Sequence, residues 1–125
     1  MADRTPRMRE LATELPGFAA LRAKFLAMLQ ERQGDVASLA LDAWNTRSGA
    51  EKVEKLGEAA RLLHKTSGSA GSFGFPEVSE AAASCEALIC VHLEDPDVLQ
   101  TPCPAEIISA ADDFVSLCET CFEPR

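Results

Sequence analysis

Apolar residues recur three and four positions apart along almost the whole chain, and that spacing is the repeat of an amphipathic helix. The apolar side chains are mostly Ala and Leu, tyrosine is absent and β-branched runs are scarce, so strands have little to form from. The pattern predicts a short opening helix over 6–15, stopped by Pro16-Gly17. A long helix over 18–45 follows, with Phe18, Leu21, Phe25, Met28, Arg32, Val36, Leu39 and Ala43 inward and Gly34 weakening or bending it. A loop from Asn45 to Gly49 leads to a helix over 50–73 whose stripe is Leu56, Ala59, Leu63, Thr66, Ala70 and Phe73. Gly74 suits its end and Pro76 the first turn of the next helix, 76–93, which turns Val78, Ala82, Cys85, Ile89 and His92 inward. After Asp95-Pro96 and a proline-dotted loop, a last helix over 105–122 faces the core with Ile108, Ala111, Val115, Cys118 and Phe122. The expected fold is all-α: one domain over 1–125, an antiparallel four-helix bundle with a short additional N-terminal helix.

A chain of 125 residues, 46% of them hydrophobic, suits one packed domain and leaves no room for separate cofactor and substrate domains. Its net charge of −8 repels a phosphate backbone, which argues against nucleic acid as a partner. No run of ~18 apolar residues exists to span a membrane. Met1 to Glu10 lacks the apolar run of a secretory signal, so the expected location is the cytoplasm. The cysteines (Cys85, Cys90, Cys103, Cys118 and Cys121) are odd in number, which speaks against a disulfide framework. Cys118-x-x-Cys121 is the one tight pair and has no second pair to complete a zinc site, so no metal is expected. Both thiols fall in an apolar stripe and read as small core hydrophobes.

The two histidines differ in setting. His92 lies near the end of its helix, where the dipole favours a cation, and it reads as structural. His64 is flanked on its own helix face, seven and four residues to either side, by Gly57, Ala60, Gly68 and Gly71. Three glycines cost a helix roughly 2–3 kcal/mol against alanine, so something other than helix propensity favours bare backbone here. Tight packing against a neighbouring helix is one explanation. The other is access: a partner surface reaches the imidazole only where no side chain stands beside it. Leu63 already serves the packing face and His64 sits about 100° round from it, which favours access.

From Arg47 to Lys65 there are five bases (Arg47, Lys52, Lys55, Arg61 and Lys65) against three acids (Glu51, Glu54 and Glu58), a local excess of five minus three, +2. Arg61 and Lys65 form an i,i+4 pair bracketing His64, placed to meet phosphoryl oxygens.

The segment His64-Lys65-Thr66-Ser67-Gly68-Ser69-Ala70-Gly71-Ser72-Phe73-Gly74 resembles the active-site segment of the histidine-containing phosphotransfer (HPt) domains of bacterial phosphorelays. Phe75-Pro76-Glu77-Val78 and Cys85-Glu86-Ala87-Leu88 fit the same pattern, and the likeness extends over Phe18 to Leu93. The resemblance implies a four-helix bundle whose histidine takes a phosphoryl group from a receiver aspartate or a sensor kinase and passes it on. His64 carries over as the phosphoacceptor, attacking through Nε2, and Gly68 as the residue that keeps its flank open. Many members have lysine three residues after the histidine. Ser67 stands there in this chain, and Arg61, Lys65 and Ser67 are expected to support the phosphate, Arg61 or Lys65 supplying the charge.

The implied partners are response-regulator receiver domains and a sensor or hybrid histidine kinase, met by a monomeric carrier without turnover of its own. The chain is expected to need no cofactor, the magnesium ion belonging to the partner receiver. Gly68-x-x-Gly71-x-x-Gly74 matches neither common nucleotide-phosphate loop, which argues against a self-contained kinase. Two other readings stand beside the carrier: a helical docking or inhibitory protein that binds receivers or kinases unphosphorylated, and a thiol or metal bundle built on Cys118 and Cys121.

Overall fold

In the computed structural model the described residues are 17–122, and they form four helices. These are α1 (Phe18–Asn45), α2 (Gly49–Ser72), α3 (Pro76–Leu93) and α4 (Ala105–Thr120). The expected helix over 6–15 lies outside the described residues. Short loops at 46–48 and 73–75 force α1, α2 and α3 to alternate in direction, and α4 closes the ring by packing on both α3 and α1. No strand occurs among the described residues.

Local chemistry fixes the α2 boundaries. Ser48 caps the helix by accepting a hydrogen bond from the Glu51 backbone N–H at 3.1 Å, while the Glu51 carboxylate accepts one from the Thr46 hydroxyl at 3.0 Å. At the other end Gly74 adopts φ 84°, which an L side chain resists. The Phe75 N–H then reaches the Ala70 carbonyl at 2.9 Å and the Gly74 N–H reaches that of Gly71 at 3.3 Å, a Schellman closure. Pro76 starts α3 directly afterwards, needing no N–H there. The phosphorelay-like segment therefore ends where its own glycine stops the helix.

Phe25, Leu29, Leu56, Leu63, Ile89, Ile107 and Phe114 are the large side chains of the core. At the Gly74 end Phe25 stacks on Phe73 (5.0 Å) and Phe75 (5.9 Å), with Arg22 lying 4.8 Å over the Phe75 ring. The α2 and α3 stripes fall where the periodicity put them, although Phe73 is only half-buried. In α4 Ala111 and Cys118 are buried as expected, but Ile107 and Phe114 take the core in place of Ile108 and Val115, and the helix ends at Thr120, before Phe122. In α1 Leu29 and Ala40 replace Met28 and Leu39 in the core, and Leu21 is exposed.

Lys52, one of the five bases counted between Arg47 and Lys65, does not contribute to an exposed basic face. It is buried, and its ammonium donates to the Val98 and Thr101 carbonyls, tying the loop after α3 to the first turn of α2. Gly49 makes that crossing fit, because a Cβ there would run into the Leu99 carbonyl. Gly49→Ala is therefore expected to cost about 1–3 kcal/mol, the usual range for overpacking. A thermal midpoint equal to the parent's would contradict this loop placement.

His92 turns inward and is structural, as expected, but its setting does not favour the cation that the helix dipole suggested. It is buried near Lys52 and its Nε2 has no hydrogen-bond partner. Burial, then the nearby Lys52 ammonium, pushes its pKa below the ordinary histidine value, against a smaller upward pull from Asp95. The folded state thus holds a neutral ring that the unfolded chain protonates more readily. Stability is full above about pH 6.5, the unfolded value, and is lost as pH falls toward the lower folded value. Denaturant midpoints compared at pH 8 and about pH 5 should fall for the parent more than for His92→Leu; an equal fall in both would remove this assignment.

Candidate functional site

His64 lies near the middle of α2 with its side chain 77% exposed, while Leu63 beside it is fully buried. The ring is held from across the bundle: Nδ1 lies 3.0 Å from Oε2 of Glu86 on α3 and 3.3 Å from Oε1. A carboxylate only accepts, so Nδ1 carries the proton in this pair and the lone pair of a neutral ring resides on Nε2. The arrangement presents an exposed nucleophilic nitrogen whose opposite nitrogen is fixed. Glu86 was not singled out from the sequence. It belongs to another helix, and nothing in the periodicity around His64 points to it.

The strip beside His64 is open. A Cβ added at Gly57 or Gly68 would meet nothing within 4 Å, and one at Gly71 would only touch the Ser79 hydroxyl at an ordinary 3.6 Å. Packing against a neighbouring helix does not require these glycines, because alanine fits at each position. Gly68 and Gly71 are exposed and Gly57 is half-buried. Ala60 is a correction: it is buried in the core and offers no access. The bare surface thus lies mainly on the C-terminal side of His64, where Gly68 sits one turn, about 6 Å, along the axis.

The bases of this region also separate. Lys52 is buried and Lys55 lies 3.8 Å from the Asp42 carboxylate. Arg61 and Lys65 are exposed, and neither enters an ion pair among the described residues. Ser67 turns toward the α2–α3 seam, its hydroxyl 3.4 Å from that of Ser79 and its carbonyl accepting the Ser79 hydroxyl at 2.7 Å. Arg61 and Lys65 flank His64 on its helix, while Ser67 is a correction: its hydroxyl is turned to Ser79 rather than toward the phosphoryl site.

The cysteines show no comparable site. Burial pushes the Cys118 thiol up to about 12, helped by Cys121 and Glu119, and raises Cys121 as well. Thiols held protonated make poor nucleophiles and ligands. Among the described residues no three His, Cys, Asp or Glu side chains converge as metal ligands. Nor is any described helix long and apolar enough to cross a membrane.

The family model of the Hpt domain matches residues 20–117 of the chain. No curated protein and no solved structure is similar enough to count as a match.

Proposed function

Because this chain belongs to the Hpt domain family, whose members are phosphotransfer modules of two-component signalling, we propose that it relays phosphoryl groups through His64. The observation that carries the proposal is the exposed imidazole held at Nδ1 by Glu86, one helical turn from the open backbone at Gly68. In the forward step the Nε2 lone pair forms a bond to the phosphorus of a receiver's aspartyl phosphate. The P–O bond to the aspartate breaks as this happens, and the carboxylate leaves with its electron pair. The ring becomes cationic, and the Glu86 carboxylate against the Nδ1 proton stabilises that charge. Donation onward is the reverse, with an aspartate oxygen attacking the N-linked phosphorus.

Arg61 and Lys65 neutralise the phosphoryl oxygens as they approach, which suits a reaction governed by in-line positioning and charge. The receiver supplies its own metal ion, and the carrier works as a monomer in the cytoplasm without a cofactor. A docking protein that is never phosphorylated would need neither an Nε2 lone pair nor Glu86, and that geometry favours the carrier.

The test is transfer of label from a phosphorylated receiver domain, or from a phosphorylated sensor kinase, to the purified protein. The adduct should be acid-labile and base-stable; failure to label with any receiver or kinase of the source cell would remove the proposal. Glu86→Ala is expected to slow transfer about fivefold, the equivalent of about 1 kcal/mol for one partly exposed charge-assisted bond. Imidazole 15N shifts should show the proton moving from Nδ1 toward Nε2 in that variant. An unchanged tautomer would dismiss Glu86 as a positioning residue while leaving His64 in place.

A further inference from the structure

Of the twelve lysines and arginines, every one except Arg125 lies at or before Lys65. The second half of the bundle therefore has no lysine or arginine on either of its helices, α3 and α4. Between them runs an open groove of about 490 Å3. Its floor is formed by the half-buried Ala81, Ala110 and Leu117, and its rims by the exposed carboxylates of Glu77 and Glu80 on α3 and Asp113 on α4.

We propose that this groove docks a basic amphipathic helix of a partner protein, separately from the chemistry at His64. Small alanines on the floor let a third helix come close, since little side chain stands between backbones. The lining spans Glu77 to Ser84 on α3, about 10 Å or two helical turns, which matches apolar residues at i and i+4 of a docked helix. Carboxylates on both rims select for lysine or arginine flanking that apolar stripe.

Other occupants fit less well. A second copy would bring one chain of net charge −8 against another. Residues 1–16 balance Arg4, Arg7 and Arg9 with Asp3, Glu10 and Glu14, so they lack the positive excess that the rims favour. The groove is also remote from the phosphoacceptor. Glu86, which holds His64, follows Glu77 by nine residues and so projects about 180° away from it around α3. A partner seated in the groove therefore leaves the His64 face free for a receiver, so a kinase or scaffold could hold the carrier while it exchanges phosphate.

The test is a 15N NMR titration of the full chain with an amidated 14-residue peptide, a Lys/Leu/Ala helix with leucine and alanine on one face and lysine on its flanks. Shifts should concentrate on residues 77–84 and 110–117. Paired Glu80→Lys and Asp113→Lys should weaken binding at least about tenfold, and so should scrambling the peptide's periodicity at constant composition. His64→Gln should bind as the parent does, so this result stands or falls apart from the phosphotransfer assay.

Three results would overturn the proposal. The first is an equal loss on reversing Glu94 and Asp97, which are exposed and outside the groove, since that would mean unspecific attraction to an acidic chain. The second is movement of the resonances of residues 1–16 together with the groove, which would identify the chain's own segment as the occupant. The third is dissociation of a dimer on adding peptide, which would assign the groove to a second copy.

Discussion

His64→Gln should take up no phosphoryl label from a receiver or kinase that labels the parent, a loss of at least about 1,000-fold. Its helical circular dichroism and thermal midpoint should stay where they are. Both halves of the expectation come from the same geometry. The side chain is 77% exposed and contributes nothing to the core, so replacing it should shift stability by less than about 0.5 kcal/mol. Glutamine retains an amide to meet Glu86 but has no nitrogen lone pair able to attack phosphorus. No other side chain near the strip replaces it: Ser67 is turned to the seam with Ser79, and Arg61 and Lys65 are cations. Label remaining on the glutamine variant would move the acceptor elsewhere and end the relay reading. Loss of label together with loss of helicity would point instead to a structural role for the ring, which its exposure contradicts.

The His64 strip was legible in the sequence because it is local: one helix period brings Gly57, Gly68 and Gly71 to one face without knowledge of the fold. The α3 stripe was legible for a related reason, since Val78, Ala82, Cys85, Ile89 and His92 follow one line at helical spacing and each is buried. Where two apolar residues are adjacent, the period does not choose between them. Ile107-Ile108, Phe114-Val115 and Met28-Leu29 each offer two directions about 100° apart, and the neighbouring helices decide in favour of Ile107, Phe114 and Leu29.

What sequence reasoning missed was contributed from far along the chain. Glu86 reaches His64 only because α3 folds back on α2. The two carbonyls that make a buried ammonium tolerable come to Lys52 from a loop more than forty residues on. Composition counts such a lysine as charged without saying where it sits, and the helix dipole suggested a cation at His92, whose pKa burial and then Lys52 lower. Distance along the chain separates the legible features from the hidden ones.

Gly68→Gln should fold as well as the parent and transfer phosphate about 100-fold more slowly. Beyond its chain neighbours and its own helix backbone, nothing lies within 4 Å of a Cβ at position 68, and the backbone there is ordinary helix, so a longer side chain starts into open space in the free protein. In an encounter with a receiver the same side chain stands about 6 Å from His64 along the helix, where the incoming surface must close. Displacing the reacting atoms by an ångström or so is enough for a loss of that size. Gly68→Ala separates this steric effect from helix propensity. Alanine should stabilise α2 by about 0.5–1 kcal/mol and slow transfer far less than glutamine does. A glutamine variant that transfers at full rate would show that Gly68 does not guard the approach, and the histidine would remain the acceptor with its glycines unexplained. If instead both variants slow transfer equally while both raise the thermal midpoint, a flexible helix would be the requirement, and bare surface would cease to explain the strip.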